Sequence, residues 1–111
     1  MKIQIKPLSV NQCWAGRRFK SPMYKRYELA LLALLPADIY IPEWKLEIHY
    51  FFGFSSNASD VDNPIKPLQD ILTKKYGFND RAIFKITAEK EIVPKWQEYL
   101  SFIIIEHISY T

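Results

Sequence analysis

The sequence predicts one α+β domain: a mixed sheet of about four strands with two main helices packed on it, in the order β-α-β-α-β-β. Three observations lead there. Trp44 to Phe54 alternates with a period of two, as a half-buried strand does. Ser21-Pro22 and Asn63-Pro64 each place a capping side chain before a proline, the usual opening of a helix. After Asn79 the chain alternates again in two runs rich in isoleucine. The length of 111 residues suits a single domain over 1–111, with no internal repeat, low-complexity stretch or linker.

The elements follow in chain order. Ile3 and Ile5 alternate with Lys2, Gln4 and Lys6 in an expected first strand, which Pro7 ends. Ser9 to Gln12 reads as a turn. Trp14 to Lys20 interleaves Trp14 and Phe19 with Arg17, Arg18 and Lys20, a loop suited to phosphate contact and base stacking or simply to solvent. A helix is predicted from Ser21-Pro22 to Pro36, with Tyr24, Tyr27, Leu31, Leu34 and Leu35 on its apolar face and Lys25 and Arg26 off it. Ile39 to Pro42 is a short extended piece. In the long strand, Trp44, Leu46, Ile48, Tyr50, Phe52 and Phe54 form the core side; Lys45, Glu47, His49 and Phe51 form the other. The second helix buries Ile65, Leu68, Ile71 and Leu72 and stops at Gly77, with Lys74 and Lys75 at the negative end of its dipole. Ala82, Phe84, Ile86 and Ala88 mark one face of a third strand. Glu91 to Gln97 reads as a hairpin loop. The last strand runs from about Tyr99 to Ser109, central in the sheet or buried in an interface because both faces carry isoleucine, with His107 a structural residue.

Composition narrows the class. Hydrophobic residues make up 49% and charged residues 24%, the balance of a globular chain and not a disordered one. The single cysteine, Cys13, cannot form an internal disulfide or a thiolate cluster, which suits a reducing, cytoplasmic setting and an apolar filler role. No apolar run reaches the ~18 residues of a membrane span, and the N-terminus lacks a signal-peptide core. Without a secretory signal, the Asn57-Ala58-Ser59 sequon carries no weight. A net charge of +3 and a pI near 9.0 point mildly toward a polyanionic partner.

Chemistry concentrates between Asp60 and Asp80. Asp60 and Asp62, two apart in an extended segment, would share one face about 6–7 Å apart. Lys66 and Asp70, four apart, share one face of a helix. Asp80 follows that helix at the head of the next strand. Were this strand beside the one ending at Phe54, three carboxylates and an ammonium would gather around one point. Such a set suits a hard divalent cation with oxygen ligands, and with it phosphoryl chemistry. The same Asp-x-Asp-Asn-Pro stretch also makes sense as loop and helix-cap chemistry alone. No phosphate-binding glycine loop, zinc motif or nucleophilic triad signature competes.

The run Asp60-x-Asp62-Asn63-x-x-Lys66-x-x-x-Asp70, a short helix, and Asn79-Asp80 leading into a strand resemble the RusA-type Holliday junction resolvases of bacteria and their prophages. Ser9-Val10-Asn11, with Trp14 three residues on, is similar to that family's N-terminal motif. The resemblance covers nearly the whole chain; its sharp motif spans Asp60 to Asp80. It implies that Asp60, Asp62 and Asp80 hold magnesium (manganese substituting), that Lys66 is the catalytic lysine, and that Asp70 and Asn63 support them. It further implies a homodimer that nicks opposed strands of a four-way DNA junction, with no organic cofactor and no membrane. The family often carries paired aspartates where this chain has Asn79-Asp80, and basic residues before the first acid where this chain has Ser55 to Ser59. DNA contacts are therefore expected from Arg17, Arg18, Lys20, Lys25, Lys74, Lys75 and Arg81. The alternative is a non-catalytic protein of phage origin that binds branched DNA without cutting it.

Overall fold

A computed structural model describes residues 2–16 and 19–108. Arg17 and Arg18, expected to contact DNA, and Ser109, the expected end of the last strand, lie outside the described residues. After a short 3-10 turn at Val10–Gln12, the main elements are α1 (Pro22–Leu34), β1 (Leu46–Phe54), α2 (Ile65–Tyr76), β2 (Ile83–Ile92) and β3 (Tyr99–Glu106), with a second 3-10 turn at Asp80–Ala82.

Helix α1 begins where the Ser-Pro pair predicts. The Ser21 hydroxyl accepts from the Tyr24 amide at 3.1 Å and donates to the Gln12 carbonyl at 2.6 Å, so it caps the helix and ties it to the preceding turn. Pro22 fills the first helical position, where no amide is needed. Tyr24, Tyr27 and Leu31 are buried, followed by Leu35, which turns into the core as the helix ends. Leu34, expected on this face, lies at its margin and is half exposed. Ser21→Ala removes both bonds and should destabilise the fold by about 1–2 kcal/mol, measured as a lower urea midpoint at unchanged m-value.

Strand β1 is the centre of the sheet, whose order is β2-β1-β3. Leu46, Ile48, Tyr50 and Phe52 are wholly buried, and Ile48, Tyr50 and Phe52 share one core cluster with Leu31 from α1 and Leu68, Ile71 and Leu72 from α2. Both helices therefore cover the same face. The buried Tyr50 hydroxyl donates to Gln69 Oε1 at 2.8 Å, which satisfies a polar pair inside an otherwise apolar layer. β1 starts at Leu46 and not at Trp44, because Lys45 has φ 57, a left-handed conformation that breaks the extended run. Trp44 consequently leaves the core side and is half exposed.

Three strands form, where about four were expected. The N-terminal segment makes one bridge only, Ile3 with Leu100, through bonds of 2.8 and 3.0 Å. The Ile5 amide then folds back onto the Ile3 carbonyl at 2.9 Å, which carries the chain off the sheet edge. β2 and β3 are not a hairpin either. β2 lies parallel to β1, β3 lies antiparallel to it, and they occupy opposite edges. The link between them must cross the end of β1, where the Val93 amide donates to the Phe54 carbonyl at 2.7 Å. β3 is thus an outer strand and not the central one.

One irregularity resets the faces of β2. Leu46 pairs with Ile83 but Glu47 pairs with Lys85, so Phe84 is an extra residue in the ladder. Phe84, expected with Ile86 and Ala88 on one face, instead sits beside Trp44 and His107, with ring centroids at 5.7 and 6.2 Å. Helix α2 closes at Gly77 with φ 71, and the Gly77 amide donates to the Thr73 carbonyl at 2.9 Å, as a left-handed glycine stop requires.

Candidate functional site

The stretch after β1 does not run extended through Asp60 and Asp62. Residues 61–64 bend and turn, and the Ile65 amide donates to the Asp62 carbonyl at 3.1 Å. The strand-like placement of both carboxylates on one face is therefore not formed. Asn63 is not the helix cap: Pro64 holds that position, without a side-chain bond to the helix. Asn63 reaches backward instead, its Nδ2 donating to Asp60 Oδ2 at 3.5 Å, while its carbonyl accepts from the Val10 amide at 2.9 Å. That last bond joins the Ser9-Val10-Asn11 turn to the acidic stretch. Asp60 and Asp62 are exposed.

Lys66 is where the site closes up. Its Nζ lies 2.9 Å from Asp70 Oδ1, one helical turn along, and 3.7 Å from Asp80 Oδ2, on the 3-10 turn before β2. The first contact follows from the four-residue spacing; the second depends on the turn after Gly77 bringing Asp80 back beside α2. Asp70, first by its hydrogen bond and then by its charge, and then Asp80, push the Lys66 ammonium above its ordinary pKa. Lys66 therefore stays charged at neutral pH and can stabilise negative charge, not abstract a proton. The cluster reaches toward the sheet: burial, then the charges of Asp80 and Asp70, push the Tyr50 hydroxyl well above the usual phenol range. Asn79 caps the 3-10 turn, its side-chain oxygen accepting from the Arg81 amide at 2.9 Å.

Two clefts flank the Ser9 to Gln12 turn. One is lined by Lys6, Ser9, Gln12, Ser59, Asp60 and Asn63. The other is lined by Val10, Cys13, Trp14, Tyr24, Lys66 and Asp70. Trp14 is half exposed and stands edge-on to Tyr24, with ring centroids 6.0 Å apart. Trp14, expected in a loop suited to base stacking, therefore lines the same cleft as Lys66 and Asp70. Its nearness to Lys66 rests on the Trp14–Lys20 bridge and the bond from the Ser21 amide to the Cys13 carbonyl at 2.8 Å, which no local pattern displays. Cys13 is buried beneath, and burial, then Asp70, raises its thiol pKa, as fits a filler and not a nucleophile.

The expected DNA-contacting residues are only partly free to contact anything. Lys20 and Lys74 both grip Glu28, at 2.8 and 3.0 Å, and Lys75 Nζ donates to the Leu32 carbonyl at 2.9 Å. Lys74 and Lys75 hold α2 to α1, while Lys20 ties the loop before α1 to that helix. Lys25 and Arg81 have exposed side chains.

Asp60, Asp62 and Asp80 offer exposed carboxylate oxygens, the donor chemistry that magnesium takes. Among the described residues, however, no three acids, histidines or cysteines converge into a group placed to hold a metal ion. Magnesium does not need such a cage, since it is commonly held by one or two carboxylates with waters and substrate phosphate completing the shell. Among the described residues, no helix is long and apolar enough to cross a membrane. Comparison with protein-family models gives no match, and comparison with curated proteins gives none either.

Proposed function

We propose that this chain is a magnesium-dependent, structure-selective endonuclease that resolves four-way DNA junctions by paired symmetric nicks, acting as a homodimer in the cytoplasm of a bacterial or phage-infected cell. The observation that carries this reading is the Lys66 ammonium held between Asp70 and Asp80, in a cleft it shares with the exposed face of Trp14. A fixed cation beside acids, next to an aromatic platform, suits a phosphodiester and its neighbouring base.

In this mechanism water adds to phosphorus and one P–O bond to sugar breaks, the departing oxygen taking up a proton. Asp60, Asp62 and Asp80 are the carboxylates that would offer oxygens to the magnesium, one or two at a time with waters and the substrate phosphate completing its shell, and manganese could replace it. When bound, the ion supplies an activated water and neutralises charge on the phosphate oxygens. Lys66 stabilises the added negative charge as the phosphorus becomes five-coordinate. Asp70 positions Lys66 through its 2.9 Å bond. Trp14 offers its exposed face for stacking a base beside the reacting phosphate.

A labelled four-way junction in magnesium tests the proposal. Wild type should cut in symmetric pairs; Asp80→Asn should bind the junction and leave it whole. Cleavage by Asp80→Asn at the wild-type rate, or no junction binding by wild type, would refute it. The second reading, a branched-DNA-binding protein without catalysis, is favoured by one observation: no three acids converge among the described residues. Tight junction binding with no cleavage in either magnesium or manganese would establish that alternative.

A further inference from the structure

The sheet has a largely bare face. Both helices cover the side carrying Ile48, Tyr50 and Phe52; on the other side Tyr99 lies buried over Gly53 with the Lys2 ammonium 4.3 Å above its ring, and the rest of that face, from Ile103 to Ile105, is open. Parallel strand pairs such as β1 with β2 are normally covered on both faces. The uncovered side is also not built for water. Ile103 and Ile105 on β3 are 49% and 41% exposed, and across the Glu47–His49 column of β1 Phe84 and Trp44 are half exposed at the start of the sheet, more apolar surface than a solvated face usually carries.

The polar groups on this face are already satisfied internally. Thr87 Oγ1 contacts His49 Nδ1, His49 Nε2 lies 2.6 Å from Glu47 Oε2, and His107 Nδ1 lies 3.1 Å from Glu47 Oε1. The donors and acceptors match throughout: the Thr87 hydroxyl donates to His49 Nδ1, and His49 Nε2–H and His107 Nδ1–H each donate to one oxygen of Glu47. These bonds, that from His107 first, hold the Glu47 carboxyl below its usual range. A second apolar layer can therefore close over Glu47 and His49 without stranding them.

The remaining charges are ordered by sign. Along β2 the residues on this face are Lys85, Thr87, Glu89 and Glu91, set opposite Glu47, His49, Phe51 and Gly53 of β1. The start of the strand is basic and its end acidic, about 20 Å apart. A two-fold axis across the strands would lay β2 of one copy antiparallel over β2 of another, with each Lys85 facing the acidic end opposite.

We propose that this face is the contact between two copies of the chain, packed sheet on sheet about such an axis. The proposal deepens the homodimer of the functional reading by naming its surface. It is drawn from the sheet alone, so its test needs neither DNA nor metal.

Sedimentation over a dilution series from high to low micromolar, without DNA and with EDTA, should show a dimer that dissociates reversibly. Ile103→Glu with Ile105→Glu, both on the uncovered side, should raise the dissociation constant by about 100-fold or more while the circular dichroism stays that of wild type. Lys85→Glu alone and Glu89→Lys alone should each weaken the dimer, because like charges then face one another at both ends. The double swap should restore it. A wild type that stays monomeric at the highest concentration overturns the proposal and leaves the face to a different partner. A dimer indifferent to the isoleucine and charge variants overturns it too, by placing the contact elsewhere. A monomer that still cuts junctions would sink this surface and leave the nuclease standing; a dimer that cuts nothing would do the reverse.

Discussion

Lys66→Ala is expected to lower magnesium-dependent junction cleavage by two orders of magnitude or more, the range seen when one preorganised donor is removed from a developing oxyanion. Binding to the same junction in EDTA should fall far less, since one phosphate contact among several is lost. The fold should be almost indifferent. Lys66 is more than half exposed and its ion pairs with Asp70 and Asp80 lie in water, where such pairs contribute about 0–1 kcal/mol. Loss of cleavage at unchanged melting temperature therefore separates chemistry from scaffolding. Lys66→Arg should recover part of the rate, because the positive charge is retained. A Lys66→Ala protein that cuts at the wild-type rate would remove Lys66 from the mechanism.

The largest effect on stability is expected at Phe52. Its side chain is wholly buried in the middle of β1, with its ring stacked on Tyr50 at a centroid distance of 6.0 Å and tilted against Phe54 at 6.1 Å. Phe52→Ala leaves a cavity between the sheet and both helices and should cost about 3–5 kcal/mol. For a domain whose total stability is about 5–15 kcal/mol, that is a large share. The melting temperature should drop by roughly 10–20 °C. Calorimetry checks this; a drop of only a degree or two would mean that the layer collapses to fill the space.

Local chemistry made part of this molecule legible. Ser21-Pro22 needs only its own turn to cap α1, and Lys66 with Asp70 needs only helical spacing. Asn63-Pro64 has the same form as Ser21-Pro22 but misled, because Asn63 is engaged by Asp60 and by the amide of Val10, more than fifty residues earlier. The spacing of Asp60 and Asp62 suggests an extended segment, yet the Asp62 carbonyl closes the turn that starts α2. Phe84 fits an alternating pattern with Ile86 until the extra residue opposite β1 moves it to the other face. The contact between Lys66 and Asp80 follows from the turn after Gly77, which no periodicity encodes. The isoleucines of β3 correctly signalled two apolar faces, but one is met by helices while Ile103 and Ile105 on the other stay half exposed.

The register of β1 sets an order of events during folding. Every ladder partner of β1 lies downstream, beginning with Ile83 on one side and extending to Glu106 on the other. No hairpin can nucleate this sheet, because neither neighbour of β1 adjoins it in the chain. As the chain is synthesised, the most apolar strand emerges first and must wait for about half the protein before its second edge is paired. Non-local pairing of this kind slows folding and leaves a hydrophobic segment open to other chains in the interval. The early helix α1, capped by its own serine, is the one element able to form before that wait and to shelter Tyr50 and Phe52 while it lasts.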